Sequence, residues 1–298
     1  MMLSDSYFEQ GTTHEVCEDY AVHGENYAIV SDGCSNGGGP SINTDWGARF
    51  LCRAAEEHIE QFDPDFLIDE IKNRIVYMMA GFPKIQPDCL TATLMMLRVL
   101  NGKFHAFTIG DGVVGGKRKD GRWKIHVIDF NSAPFYLKYK LCDEEKMFLD
   151  SFGDKYKIRT YFGKLMDPKM EIPEFPKAEE RYEAWSQVMT CSEMEYALNP
   201  QAPFNIFEFP IEDYEFAFVC SDGIEQFRQL QITEMSKANE NILMLDAMRI
   251  VMDFTTIRPG FAKHQKNWVF KQDKQGTLVR HKWKNFDDVA VGALHVGN

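Results

Sequence analysis

The 298-residue chain is 44% apolar and 26% charged, a globular composition with material for a substantial core. Its net charge of -12 and isoelectric point near 5.2 argue against nucleic-acid or membrane binding and suit a protein that gathers cations. Seven cysteines without a repeated Cys-x-x-Cys exclude a disulfide framework or a zinc ribbon and suit a reducing cytosol.

The N-terminus shows no basic-then-apolar leader, and no apolar run is long enough to span a bilayer. A soluble cytoplasmic protein is expected. "DYAVHGENYAIVSDG" reads as two strands around Gly24-Glu25-Asn26. Thr44 is suited to cap a helix, and Trp46, Phe50, Leu51, Ala54, Ala55 and His58 follow near helical spacing. "DFLIDEIKNRIVYMMAGF" reads as a second helix. "CLTATLMMLRVLNGKFHAFTIGDG" gives two strands around Asn101-Gly102, a strong hairpin signal. "GRWKIHVIDF" is a further strand after the turn at Asp120-Gly121.

From about 131 to 210, Pro134, Pro168, Pro173, Pro176, Pro200, Pro203 and Pro210 break the pattern. This predicts an irregular insertion or cap within a single domain spanning 1–298. "YEFAFVCSDGIEQF" is a strand ending on Ser-Asp-Gly, "NENILMLDAMRIVMDF" a helix, and "FDDVAVGALHV" a final strand. Strands joined mainly by hairpins predict an α+β fold of antiparallel sheets with helices packed outside.

Acidic residues gather at the ends of these strands: Glu18-Asp19 in "CEDYAV", Asp32 in "AIVSDG", Asp111 in "FTIGDG", Asp222 in "FVCSDG" and Asp287-Asp288 in "NFDDVAV". Any one Asp-Gly is ordinary turn chemistry. The set is harder to dismiss, because a carboxylate at a core-facing strand end is costly unless its charge is offset. A hard divalent cation such as Mg2+ or Mn2+ prefers oxygen ligands of this kind.

The order "CED", "VSDG", "TATLMML…FTIGDG", "FAFVCSDGIEQF", "FDDVAVGALHV" resembles the metal-dependent protein phosphatase 2C family of serine/threonine phosphatases, over roughly 10–130 and 214–296. The resemblance implies a four-layer α-β-β-α sandwich with a two-metal site at one end of the sheets. It implies Asp32 as the acid shared by both metals, with the Gly33 carbonyl and a carboxylate of Glu18-Asp19 on one ion and Asp222 and Asp287 on the other. Asp111 matches a ligand of a third, looser ion, and Asp288 stands behind the ligands. Water between the two cations, with Asp19 orienting it, would attack phosphorus in line. A phosphorylated protein is the implied partner, met by a monomer. At the position of the family's phosphate-binding arginine stands His14, a donor that titrates near neutrality. Cys34 stands where some members have histidine.

Two other chemistries fail on spacing. A cysteine phosphatase needs arginine six residues after its nucleophile, and the sixth residue after Cys34 is Pro40. In "GDGVVGGK", Asp111 occupies the glycine position of a P-loop and Arg118 follows the lysine. Two rival functions stay open: a regulatory module of low activity on the same fold, and a hydrolase of small phosphoesters. From Arg258 to Lys284, eight basic residues face one acid, Asp273. A solvated helix face is the simpler reading, and substrate steering the alternative.

Overall fold

A computed structural model describes residues 2–11, 16–34, 44–60, 64–81, 90–164, 189–228, 269–272, 278–281, 284–285 and 287–297. In chain order the strands are β1 (Met2–Glu9), β2 (Tyr20–His23), β3 (Tyr27–Ser31), β4 (Leu94–Leu100), β5 (Lys103–Ile109), β6 (Gly112–Arg118), β7 (Arg122–Phe130), β8 (Lys155–Lys164), β9 (Met189–Ala197), β10 (Asn205–Pro210), β11 (Tyr214–Cys220), β12 (Phe227–Arg228), β13 (Val269–Gln272), β14 (Leu278–His281), β15 (Lys284–Asn285) and β16 (Val289–Val296). The helices are α1 (Thr44–Glu57), α2 (Pro64–Ala80), α3 (Leu137–Leu141) and α4 (Glu145–Phe152).

The strands form a seven-stranded sheet ordered β1-β16-β11-β6-β7-β8-β9 and a five-stranded sheet ordered β10-β5-β4-β3-β2. Every pairing in both is antiparallel. This is the α+β architecture the hairpin pattern predicts. Residue alternation explains why the sheets stack. Successive side chains of a strand point to opposite faces. On β4, Met95 and Leu97 enter the core between the sheets, while Leu94 and Met96 face the core under the helices. Continuous apolar runs such as "LMML" are therefore those of strands buried on both faces.

The inter-sheet core joins Val30, Met95, Leu97, Phe104 and Ala106 to Val114, Ala217, Val219, Ala290 and Leu294. The second core lies between the five-stranded sheet and the helices, with Leu51, Ala54, Leu67, Ile71 and Ile75 packed with Ile29, Met96 and Phe107. Phe50, Leu51, Ala54 and Ala55 are buried as the spacing predicts, while Trp46 remains 36% exposed. The β4–β5 hairpin turns at Asn101 (φ 49) and Gly102 (φ 74), the left-handed pair that matches strand twist. The helix read over 239–254 lies outside the described residues. No helix among the described residues is long and apolar enough to cross a membrane.

Two expectations need correction. The described part of the 131–210 segment, 131–164 and 189–210, is not irregular. It supplies α3 and α4, two strands of the larger sheet (β8 and β9) and the edge strand β10 of the smaller one. Pro134, Pro200, Pro203 and Pro210 fall beside or at the ends of these elements, where a missing N–H costs least. Within the stretch read as a helix face, Val269–Gln272 is a strand paired with Leu278–His281. Its β-branched and aromatic residues on either side of Gly276 favour a hairpin over a helix.

Candidate metal centre

The acids converge because three sheet turns open at one end of the sandwich. β3 ends at Ser31, whose hydroxyl donates to the Thr93 carbonyl at 2.5 Å. The Asp32 N–H donates to Thr93 Oγ1 at 3.1 Å, and the Asp32 carbonyl accepts from the Thr93 N–H at 2.8 Å. These bonds bind the Asp32 turn to the start of β4. β5 pairs its last residue, Ile109, with Leu94, so the next turn carries Asp111 to the same end. Gly110 (φ 91) and Gly112 (φ 133) flank it in conformations that favour glycine. On the larger sheet, the Ser221 N–H donates to the Ala290 carbonyl at 3.0 Å and Ser221 Oγ accepts from the Ala290 N–H at 2.9 Å. Asp222 and Asp287-Asp288 leave from that junction.

Glycine is required where these turns approach one another. A Cβ on Gly33 would lie 2.5 Å from the Glu18 carbonyl oxygen. A Cβ on Gly223 would collide with the carbonyl oxygen of Asp288. Asp288 holds the segment ahead of β2. Its Oδ1 accepts the Gly11 N–H at 2.6 Å and its Oδ2 the Glu18 N–H at 2.5 Å. Its place behind the other acids thus has a definite role, fixing backbone.

Glu18 and Asp19 are 4% and 1% exposed. Burial pushes the Asp19 carboxyl well above the ordinary carboxylate range, and the Asp288 and Asp222 charges push it further up; both of its oxygens are buried without a hydrogen-bond partner among the described residues. Asp32 is raised in the same way by burial, then by Asp19 and Asp222, with Asp111 adding to the rise. Asp222 is raised by burial and by the charges of Asp287 and Asp129. Asp19, buried, and Asp32 and Asp222, half-buried, are therefore one group whose negative charges oppose each other. Protons or a cation must offset them at neutral pH.

The donor set fits a hard divalent cation, all carboxylate oxygen plus the Gly33 carbonyl. Among the described residues no three acids already stand in ligating geometry. The charges of Asp19 and Asp222 instead act on Asp32 and raise its proton affinity. Of the residues singled out from sequence, Asp19, Asp32 and Asp222 come together. Asp111 bears on Asp32 and Asp287 on Asp222, while Glu18 reaches the neighbourhood of Cys34. His14 lies outside the described residues. Burial raises the Cys34 thiol above its usual range, which keeps it protonated and opposes a nucleophilic role.

Three neighbours went unnoticed in the sequence. Ser221, within "CSDG", is a neighbour of Asp19. Asp129 acts on Asp222 from the end of β7. Tyr136 lies near Cys34, Asp111 and Asp32. Asp129 lies within the strand predicted over "GRWKIHVIDF" with no turn or strand-end signal of its own, and Tyr136 sits inside the region read as irregular, where no periodicity marks it.

Comparison with known proteins follows the same pattern. The family model described as Protein phosphatase 2C matches residues 11–253. Among curated proteins, sequence comparison finds no match. Solved structures similar to this chain include the serine/threonine phosphatase Stp1 from Staphylococcus aureus, at 11% identity and TM-score 0.46, covering 100% of this chain and 96% of that one. The PPM Ser-Thr phosphatase MsPP from Mycobacterium smegmatis, in complex with cacodylate, aligns at 11% identity and TM-score 0.39, over 99% and 98% of the two chains. PstP/Ppp of Mycobacterium tuberculosis aligns at 13% identity and TM-score 0.39, over 100% and 99%. Because its model spans most of the sequence, the chain belongs to the protein phosphatase 2C family.

Proposed function

We propose that this chain is a Mn2+- or Mg2+-dependent phosphatase that hydrolyses phosphoserine and phosphothreonine on proteins. The observation that carries the reading is the group Asp19, Asp32 and Asp222, whose charges raise one another's proton affinity. Asp32 would be the acid that two ions share, with Glu18, Asp19 and the Gly33 carbonyl available to hold one and Asp222 and Asp287 the other. Asp111 would add to a third. Divalent cations held there would acidify water and neutralise phosphoryl oxygens, the chemistry of in-line phosphomonoester hydrolysis.

The chain's own residues do the rest. Asp19, buried with both carboxylate oxygens unpartnered among the described residues, would accept a proton from the attacking water. Asp288 keeps the Glu18 backbone against the site. His14 would donate to the phosphoryl group in place of an arginine. We read the enzyme as a cytosolic monomer built on one domain; the six described cysteines are free thiols, which suits a reducing compartment.

The substrate class is tested by phosphate release from a phosphoserine peptide and from free nucleotides under equal Mn2+. Faster turnover of the peptide is expected, and a preference for nucleotides overturns the protein-phosphatase assignment. His14→Ala should raise KM for phosphate esters more than it lowers kcat, as loss of uniform binding does; an unchanged KM refutes that role.

A further inference from the structure

Asp19 leads directly into Tyr20, the first residue of β2, and β2 is an edge of the five-stranded sheet. The guanidinium of Arg49, on α1, lies 5.4 Å from the centre of the Tyr20 ring, within cation–π range. Two further contacts hold that ring: Phe8 packs on it at 5.1 Å, and Arg53 donates to its hydroxyl at 3.3 Å. The Arg53 charge is matched by Glu56, three residues on. Arg49 is exposed, and among the described residues no carboxylate pairs with it. In a chain of net charge -12, it is a cation left for an anion from outside. Burial, then the charges of Asp288 and Asp19, push the Cys17 thiol up to about 12, and Arg49 pulls the other way. Arg49 thus stands beside the short segment that carries Glu18 and Asp19. Apolar side chains are exposed around it: Trp46, one helical turn before Arg49, Phe8 against Tyr20, and Val16 ahead of Cys17.

We propose that Arg49 is a specificity residue for the phosphoprotein substrate, binding an acidic side chain two or three positions from the phosphorylated residue. An extended chain covers about 7–10 Å in two or three residues, so a substrate whose phosphate lies at the acids passes over the start of β2 and the exposed face of α1. The planar guanidinium matches a carboxylate with two parallel N–H groups. Stacking on Tyr20 orders it beforehand, which lowers the entropy lost on binding. Trp46 and Val16 offer apolar surface to the same stretch of substrate. The inference rests on the phosphoprotein reading above and deepens it. There His14 is given the phosphoryl group itself, and here Arg49 is given the residue beside it.

The test is phosphate release in Mn2+ from two phosphoserine peptides that differ only in carrying Glu or Gln at the second and third positions on each side. The full chain is compared with Arg49→Gln, Arg49→Glu and Arg53→Gln. Wild type should favour the Glu peptide in kcat/KM by about threefold to fivefold, the scale of an exposed ion pair. The difference should lie in KM and shrink with added salt. Arg49→Gln should bring the ratio to one, and Arg49→Glu should invert it. Arg53→Gln removes the same charge one helical turn away and should keep the wild-type ratio. Each ratio compares two substrates on one protein, so partial unfolding of a variant leaves it unaltered. A wild-type ratio of one, or a preference that survives Arg49→Gln, overturns the proposal. So does a preference lost equally in Arg53→Gln, which would then belong to net charge. A wild type that releases phosphate from neither peptide overturns the phosphoprotein reading and this inference together, whereas hydrolysis of both without preference overturns the inference alone.

Discussion

Asp288 and Glu18 are joined across 270 positions of chain by a 2.5 Å bond from the Glu18 N–H to Asp288 Oδ2. The other oxygen of Asp288 takes the Gly11 N–H. One carboxylate thus anchors the segment that delivers Glu18 and Asp19. Asp288→Asn leaves one acceptor and turns its amide N–H toward a backbone N–H. Stability should fall by about 1–3 kcal/mol, the cost of an unsatisfied buried donor, and activity should fall with it. Denaturant midpoints and phosphatase rates check this; an Asn variant as stable as the wild type contradicts it.

Gly33→Ala tests the closeness of the turns. The added methyl would meet the Glu18 carbonyl at 2.5 Å, and this contact is with backbone, which cannot rotate aside. A cost of about 1–3 kcal/mol is expected, as for overpacking, with loss of Mn2+ stabilisation because Asp32 and Glu18 are forced apart. Wild-type Mn2+ response in Gly33→Ala would remove Gly33 from the site.

The acid group also makes a prediction about pH. Folded-state values raised above the ordinary 3.8 mean that the fold binds protons the unfolded chain has released. The cluster therefore costs stability as pH rises above about 4 toward its raised titration range, when no cation is present. In EDTA, Asp32→Asn should be more stable than wild type, by a margin that grows from pH 5 to pH 8. A margin that is constant or reversed contradicts the mutual raising.

His126 provides a pH effect of the opposite sign, away from the acids. Burial, with a smaller push from Lys124, lowers it from 6.5 to about 3. The neutral ring bonds Thr160 Oγ1 at 2.9 Å and lies 4.6 Å from the Phe207 ring. Its folded value is depressed, so its contribution is present above pH 6.5 and is lost as pH falls toward 3. The loss is about 1.4 kcal/mol per pH unit. Against His126→Phe, the wild type should lose stability at that extra rate below pH 6.5. Parallel pH profiles would show that His126 titrates freely.

The sequence made the central strands legible because each is buried on both faces or turns on a glycine pair. "LMMLRVLNGKFHAF" contains its own hairpin. β8 and β9 were not legible, because their pairing is decided by partners far along the chain. Lys155 meets Glu195 at 3.0 Å and Lys157 meets Glu193 at 2.7 Å. Exposed pairs of this kind contribute little energy, yet they fill both strands with charge and hide the alternation. β9 is exposed beyond Met189, so it carries no apolar face to read. At the site, the acids announced themselves by standing at strand ends. Tyr136, Ser221 and Asp129 become neighbours of those acids only when both sheets are assembled, and nothing local marks them.

Central to the proposed function is Asp32, the acid that two metal ions would share. The most direct test is the rate of p-nitrophenyl phosphate hydrolysis by wild type in Mn2+, wild type in EDTA, and Asp32→Asn in Mn2+. Hydrolysis should occur in the first and be lost in the other two, a difference of at least about a hundredfold given the several kcal/mol that metal ions supply to such a transition state. Equal rates in all three would contradict the claim.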